Sequence, residues 1–261
     1  MHIKMVVFDL DGTLLRSDKT VSPRTIDTLR RCQAAGIKNA YATGRGSSAD
    51  VLVPHGLCSG KITLNGATAR VCDDSGETVV YSRRIPYVTA RPFLLACHAR
   101  GLKMTSEADG VHYTNHPPPS GAWGNAIAHW QLTDFATHDL DAEKIYSYDL
   151  SAEDIDFIMQ ALPADLYGVM AVDGVLMIMH REATKAKAVA ALAATWGIAQ
   201  HDIAAFGDDL NDLDMLQYAG KGIAMGNASD AVKAAADTSC DTNDNNGVAQ
   251  WLEENILCQV T

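Results

Sequence analysis

Acidic residues at two places in the chain have the types and spacing that phosphoryl-transfer chemistry requires. Asp9 and Asp11 stand two residues apart within residues 9–13, and Asp208 and Asp212 stand four apart within residues 207–212. An aspartate carboxylate can attack phosphorus and form an aspartyl-phosphate, which divides one difficult displacement into two easier steps. A second carboxylate must then protonate the leaving oxygen and activate water. Asp9 is the candidate nucleophile, and Asp11 is the candidate acid and base.

The same acidic residues can also hold a divalent cation. A few carboxylate oxygens bind Mg²⁺ while leaving waters and a phosphate oxygen in its coordination shell. Asp9, Asp208 and the backbone of Asp11 are therefore candidate ligands. Asp212, at the start of a predicted helix, is a further candidate for the metal site. A carboxylate at a helix start is also stabilised by the helix dipole without any metal, so Asp212 has a second explanation.

Polar and positive groups for a phosphate are found after other predicted strands. The net charge of -11 repels a phosphate monoester, so a binding site needs local hydrogen-bond donors and positive charge. Thr43 offers a hydroxyl, Gly44 an N–H group, and Lys185 an ammonium in the first turn of a predicted helix. Asn211 is expected near the phosphate or the waters of the metal.

The bulk composition excludes several classes of partner. The chain has 261 residues, of which 47% are hydrophobic and 20% charged, as expected for an ordinary globular protein. Its net charge of -11 opposes binding to nucleic acids and to anionic membranes. The sequence lacks an apolar run of about 20 residues and a signal-peptide core. These features predict a soluble cytoplasmic protein that binds neither nucleic acid nor membrane, and we expect a monomer or a weak homo-oligomer.

Helix and strand patterns alternate at both ends of the chain. Strands are predicted at residues 4–8, 37–42, 61–64 and 203–206, a helix between Ser22-Pro23 and Gly36, a short helix up to about His55, and helices at 184–196 and 211–219. This alternation predicts a Rossmann-like parallel α/β sheet. Ligands of such sheets bind beyond the carboxyl ends of the strands, so the loops after residues 8, 42 and 206 should converge.

Residues 84–183 follow a different pattern, which predicts an inserted α+β cap domain within a core formed by residues 1–83 and 184–261. The pattern includes a loop at Pro117-Pro118-Pro119, a capping box opened by Ser151, and a hairpin turn at Asp173-Gly174. A further hairpin is predicted across residues 73–76, before the insertion. Core packing is the favoured role for Trp123 and Trp130, with substrate stacking as the alternative.

This combination of segments resembles the haloacid dehalogenase superfamily, and within it the Cof-like phosphatases with a large type IIB cap inserted between the second and third motifs. The residues that carry the resemblance are Asp9-Leu10-Asp11-Gly12-Thr13, Thr43-Gly44-Arg45, Lys185 and the Gly207–Asp212 segment. Asn65-Gly66-Ala67 and residues 224–228 and 245–249 extend it over nearly the whole core, whereas the cap matches only in size and pattern. Ala186 departs from the family, which usually has Gly after its lysine.

The resemblance implies a role for each candidate residue. Asp9 would be phosphorylated, Asp11 would act as acid and base, and Asp208 would bind Mg²⁺. The Leu10 backbone would hold the phosphate together with Thr43, Gly44, Lys185 and Asn211. The implied activity is hydrolysis of small phosphorylated metabolites such as sugar phosphates, nucleotides or pyridoxal phosphate.

Three other functions remain open. A phosphomutase can use the same core, and a non-catalytic protein could bind a phosphorylated metabolite on it. Residues 44–49 loosely fit the dinucleotide fingerprint G-x-G-x-x-A, but the acid expected about 20 residues later is Asn65. Dinucleotide binding is therefore disfavoured. If the protein did bind a dinucleotide, NAD should raise its thermal unfolding temperature.

Overall fold

The computed structural model describes residues 2–117, 129–171 and 174–259. They form two compact units, a core unit of Met1–Ser82 with Thr184–Thr261 and an inserted unit of Arg83–Ala183. Part of the predicted loop at Pro118-Pro119, together with Trp123 and Asp173 of the predicted hairpin turn, lies outside the described residues.

The helices and strands are numbered in chain order. The helices are α1 (Pro23–Ala34), α2 (Tyr87–Ala99), α3 (Ala152–Ala161), α4 (Lys185–Thr195), α5 (Leu213–Tyr218), α6 (Asp230–Ala235) and α7 (Gly247–Asn255). The strands are β1 (Met5–Phe8), β2 (Lys38–Ala42), β3 (Gly60–Thr63), β4 (Thr68–Asp73), β5 (Gly76–Ser82), β6 (Thr105–Ala108), β7 (Val111–Thr114), β8 (His129–Leu132), β9 (Lys144–Ser147), β10 (Leu166–Met170), β11 (Leu176–His180), β12 (Ile203–Gly207), β13 (Lys221–Ala224) and β14 (Thr238–Ser239).

The core unit contains a mostly parallel sheet in the order β14-β13-β12-β1-β2-β3-β4-β5. The strands from β14 to β3 pair in parallel, and the predicted hairpin β4–β5 continues the sheet in antiparallel pairing. All residues of β1 are buried, as expected for a parallel strand covered on both faces. Helix α1 packs against α7, and α4 packs against α5. The predicted α/β fold is confirmed by these elements and by the solved structures described below.

The local signals at the ends of the first helix act as predicted, but a neighbouring helix does not form. Ser22 is the N-cap of α1, and its side chain accepts a hydrogen bond from the Thr25 N–H. The short helix predicted up to about His55 is only a 3₁₀ turn over Ser47–Ala49. Pro54 lies five residues after Ala49, and it lacks the N–H that a continuing helix requires.

The inserted unit has its own sheet and its own core. Its sheet has the order β10-β11-β9-β6-β7-β8, and its apolar core includes Phe93, Ile145 and Ile178. The capping box at Ser151 is present, and strands β10 and β11 pair in antiparallel fashion. Trp130 is half-buried, and its ring stacks on His112 at 4.8 Å instead of joining the apolar core. Among the described residues, none of the helices has the length and apolar character needed to cross a bilayer.

Candidate active site

Three neighbouring parallel strands of the core unit end in the polar residues that the sequence singles out. Strand β1 lies between β2 and β12, and Phe8 stands opposite both Tyr41 and Phe206. Asp9 follows β1 directly, Thr43 follows β2, and Asp208 follows β12. The carboxyl ends of adjacent parallel strands lie at one edge of a sheet, which is why segments distant in the chain meet here.

An acidic cluster lies at this edge of the sheet. Asp9, Asp208 and Asp212 each offer a carboxylate oxygen within 4.8 Å of those of the other two. Asp9 and Asp212 are buried, and Asp208 is partly buried. This grouping of hard oxygen donors is typical of a site for a divalent cation.

Lys185 is the ammonium group of the acidic cluster. It is the first residue of α4, whose N-cap Thr184 accepts a hydrogen bond from the Lys187 N–H. The Lys185 Nζ donates to Asp9 Oδ1 and to Asp212 Oδ1, both at 2.6 Å, and the residue is only 1% exposed. Ala186 starts the same helix turn with its N–H bonded to Asp214 Oδ2. The helix start therefore aims a buried positive charge at two of the acidic residues.

The charges in this cluster do not balance. Burial raises the pKa of Asp9, and the charges of Asp212 and Asp208 raise it further against the opposing effect of Lys185. Burial also raises the pKa of Asp208 to about 6. Burial alone would lower the pKa of Lys185, but the charges of Asp212 and Asp9 outweigh it and raise that pKa. The ammonium is thus firmly held, while the carboxylates carry more negative charge than it can neutralise.

Asp208 is oriented by the first loop. The Thr13 hydroxyl donates to Asp208 Oδ1 at 2.7 Å. A Cβ atom at Gly12 would lie 2.2 Å from Asp208 Oδ2, so only glycine allows this close approach. The Gly12 carbonyl in turn accepts a hydrogen bond from the Asn227 side chain at 2.8 Å. The loop after β1 therefore positions the carboxylate after β12.

Asp212 has protein donors on both carboxylate oxygens. Its Oδ2 accepts from the N–H groups of Asp208 and Asp209 at 3.0 and 3.1 Å, and its Oδ1 accepts from Lys185. The residue is fully buried. These contacts hold the loop after β12 and the Lys185 ammonium in place. Asp212 therefore has a structural role in this site, in addition to the metal ligation predicted from the sequence.

The carboxylate of Asp11 has two cationic partners. Arg45 donates from Nε to Asp11 Oδ2 at 2.5 Å and from Nη2 to Oδ1 at 2.8 Å, and Lys19 donates to Oδ1 at 2.8 Å. Burial would raise the pKa of Asp11, but the hydrogen bonds and charges of Arg45 and Lys19 prevail and lower it to about 2. Asp11 is therefore an ionised carboxylate in this arrangement.

The predicted phosphate-binding residues surround the same edge. Thr43 is buried, and its Oγ1 accepts from the Arg45 N–H at 3.2 Å. The exposed Asn211 donates from Nδ2 to Asn65 Oδ1 at 2.9 Å, and a Cβ atom at Gly44 would lie 3.1 Å from that oxygen. The Leu10 carbonyl accepts from the Leu15 N–H at 2.8 Å, which curls the loop into a turn.

A strained turn after β3 holds the predicted phosphate-binding segment of residues 43–45 in place. Leu64 and Asn65 both have positive φ angles, of 53° and 51°, and Gly66 has a φ of 95°. The Leu64 N–H donates to the Arg45 carbonyl, and the Asn65 N–H donates to the Thr43 carbonyl. Non-glycine residues with positive φ are uncommon and often belong to functional sites. Here they fix the backbone of residues 43–45.

Gly66 lets this turn contact the start of α4. A Cβ atom at Gly66 would lie 2.2 Å from the Thr184 carbonyl oxygen and 2.8 Å from the Lys185 nitrogen. We expect Gly66→Ala to reduce the free energy of unfolding by about 3 kcal/mol, because left-handed strain and a backbone clash act together. Urea unfolding measures the change. The control Gly36→Ala, with positive φ but open space around it, should cost about 1 kcal/mol. Equal costs would contradict the clash.

Several contacts in the site were not predicted as functional. Arg45 and Lys19 bind Asp11, Thr13 orients Asp208, and Asn65 binds Asn211. Arg45 could have been suspected because it directly follows Thr43-Gly44. For Lys19, no sequence signal indicated its contact.

Comparison with known proteins identifies the family. The model of the haloacid dehalogenase-like hydrolase family matches residues 6–252, which is nearly the entire chain. The chain belongs to the haloacid dehalogenase-like hydrolases. The expected membership of this superfamily and the expected enzyme class, a Cof-like phosphatase, are therefore confirmed.

Curated relatives and solved structures of this hydrolase family match over almost the full length. The chain is 29% identical to the 5-amino-6-(5-phospho-D-ribitylamino)uracil phosphatase YitU of Bacillus subtilis, covering 96% of each protein. It is 26% identical to the pyridoxal phosphate phosphatase YbhA of Escherichia coli, covering 98% of this chain and 100% of the relative. A haloacid dehalogenase-like hydrolase from Bacteroides thetaiotaomicron has a TM-score of 0.83 at 26% identity, covering 97% of this chain and 99% of that one.

Proposed function

We propose that this hydrolase is a Mg²⁺-dependent phosphatase that removes phosphate from small phosphorylated metabolites through an aspartyl-phosphate on Asp9. Support comes from the position of Asp9 at the end of β1, with Asp208, Asp212 and Lys185 around it. Relatives that cover the whole chain are phosphatases of small metabolites.

The excess negative charge of the acidic cluster is the observation that carries the proposal. Asp9, Asp208 and Asp212 lie within 4.8 Å of one another, and Lys185 is the ammonium bonded to two of them. When all these groups are ionised, two negative charges remain in a largely buried place. Uncompensated buried charge is strongly unfavourable, and a divalent cation would neutralise it.

The donor set also fits magnesium in its chemistry. Asp9 and Asp208 would hold the ion through carboxylate oxygens, with the Asp11 backbone carbonyl as the further ligand expected from the sequence. When bound, Mg²⁺ would screen the charge of the incoming phosphate and of Asp9. Asp212 would serve mainly as the partner of Lys185 and of the loop amides.

In the first half-reaction the Asp9 carboxylate attacks phosphorus. The new Asp9 O–P bond forms as the bond between phosphorus and the leaving oxygen breaks, and that oxygen takes a proton from Asp11. For this step Asp11 must be protonated in the complex with substrate, although Arg45 and Lys19 favour its ionised form without substrate. Lys185, Thr43 and Gly44 would supply the positive charge and donors for the phosphate oxygens. Lys185 already holds one oxygen of Asp9.

In the second half-reaction water attacks the aspartyl-phosphate. The water oxygen bonds to phosphorus, the Asp9 O–P bond breaks, and Asp11 accepts the proton of the water. Inorganic phosphate leaves and the Asp9 carboxylate is restored. The inserted unit is proposed to act as the cap that selects the substrate.

A phosphate-release screen tests the proposed function. Purified protein is incubated with sugar phosphates, nucleotides and pyridoxal phosphate, with Mg²⁺ or with a chelator. We expect phosphate release from at least one compound only with Mg²⁺. Formation of an isomeric hexose phosphate without phosphate release would instead indicate a mutase. Binding without turnover of any compound would favour a non-catalytic role.

The proposed role of Asp208 predicts a change in metal requirement. We expect Asp208→Asn to raise the Mg²⁺ concentration for half-maximal phosphate release by about tenfold to a hundredfold, because a charged ligand is lost. A Mg²⁺ titration of activity measures this. The neighbouring Asp209→Asn is the control, since Asp209 is exposed and its side chain caps the Leu210 N–H. An unchanged titration for Asp208→Asn would remove Asp208 from the ligand set.

A further inference from the structure

Arg45 and Lys19 form a two-cation clamp on the Asp11 carboxylate. Arg45 binds it through two nitrogens, at 2.5 and 2.8 Å, and Lys19 binds it through its ammonium at 2.8 Å. Arginine and lysine side chains are donors without an acceptor. All three hydrogen bonds of the clamp end on the two oxygens of one carboxylate, so they fix both its position and its orientation.

Both cations of the clamp are carried on constrained backbone. The Arg45 N–H donates to Thr43 Oγ1, and its carbonyl accepts from Leu64, which has a φ of 53°. Lys19 has a φ of 63° within a turn closed by its own N–H on the Arg16 carbonyl. Positive φ at leucine and lysine is unfavourable and persists where the surroundings impose it.

Stability alone gives little reason for such an arrangement. The side chains of Asp11, Arg45 and Lys19 are 35%, 32% and 54% exposed. Ion pairs between groups this exposed contribute little to folding, because water screens them and long side chains lose freedom. The bidentate geometry does, however, restrict the rotation of the carboxylate, since the planar guanidinium fits it in one orientation.

We propose that Arg45 and Lys19 are positioning residues that hold the Asp11 carboxylate as the proton acceptor of the second half-reaction. This inference rests on the proposed function. As water bonds to phosphorus and the Asp9 O–P bond breaks, the proton of the water passes to the clamped Asp11. A base acts efficiently only when it is within hydrogen-bond reach of that proton and correctly oriented.

Pre-steady-state kinetics with p-nitrophenyl phosphate test the clamp. Nitrophenolate leaves without needing a proton, so its release reports phosphorylation of Asp9, while steady-state turnover reports hydrolysis of the intermediate. We expect Arg45→Gln to change the initial burst less than about threefold and to slow turnover by about tenfold to a hundredfold. Lys19→Gln should act in the same direction with a smaller effect, and Arg45→Lys should restore part of the rate.

Matched controls come from ion pairs elsewhere in the core unit. Arg24→Gln removes an arginine that binds Glu253 through two nitrogens, and Lys4→Gln removes the partner of Asp202. Neither should alter burst or turnover. In an Asp11→Asn background, Arg45→Gln should have no further effect on turnover, because the residue it positions is already gone.

Each outcome separates the clamp from the proposed function. A burst followed by slow turnover supports the clamp. Equal slowing of both phases overturns it, since a contact with the phosphate or a purely structural role acts on both, and an unchanged rate overturns it as well. Independent effects of the two substitutions in the double variant also overturn it. Absence of phosphate release by the unmodified protein, or full activity of Asp9→Asn, would instead contradict the proposed function.

Discussion

Asp9→Asn is expected to reduce phosphate release by at least about 10⁴-fold, because an amide cannot replace the carboxylate as nucleophile toward phosphorus. The fold should persist. Asn occupies the same volume, and Lys185 keeps Asp212 as a partner. The substitution also removes one of the excess negative charges of the acidic cluster. We therefore expect the thermal midpoint without Mg²⁺ to stay the same or to rise.

The activity is measured by phosphate release at saturating Mg²⁺, and the fold by circular dichroism and thermal unfolding. Asp202→Asn provides a matched control, because Asp202 is also buried and paired with a lysine, Lys4, at 2.7 Å. It should retain the activity of the unmodified protein. More than a trace of activity in Asp9→Asn would contradict the assignment of the nucleophile.

Lys185→Met is expected to have the largest effect on stability. Lys185 is fully enclosed with Asp9 and Asp212, and methionine fills a similar volume without the charge. Removing one partner of a buried ion pair leaves uncompensated charge and costs about 3–5 kcal/mol. Loss of the ammonium should also lower phosphate release by about 10²–10³-fold, since a donor to the phosphate is lost.

Urea unfolding with and without Mg²⁺ measures the effect of Lys185→Met. Mg²⁺ should stabilise the variant more than the unmodified protein, because the metal would then be the main cation for the acidic cluster. Lys4→Met is the control, since the Lys4 side chain is 47% exposed and its pair with Asp202 is accessible to water. Equal unfolding free energies for Lys185→Met and the unmodified protein would show that the cluster does not depend on this ammonium.

The sequence allowed much of the fold to be predicted, because the signals are local. Buried strands, the N-cap Ser22 and the capping box at Ser151 act within a few residues of themselves. Strands β8 and β14 were not predicted. Strand β8 has mostly exposed residues, and β14 has only two residues. Neither carries the apolar pattern on which a strand prediction depends, and both exist because a neighbouring strand pairs with them.

The part of the candidate site that lies directly after the strands could be predicted from the sequence. Asp9, Thr43 and Asp208 each come directly after a strand, and the order of strands in a parallel sheet brings such ends together. The burial of Lys185 could not be predicted from the strand ends, since a lysine in an alanine-rich helix is ordinarily a solvated charge. Its burial depends on where α4 begins relative to the sheet.

By itself, the sequence determined the alternation of strands and helices, and the residue types that follow each strand. Only the tertiary structure decided which side chains meet: Asp9 with Lys185 from 176 residues away, Thr13 with Asp208, and Arg45 with Asp11. The physical reason is that backbone propensities act over a few residues, whereas these contacts depend on sheet order, on strained turns and on side-chain orientation. None of these is set by neighbouring residues in the chain.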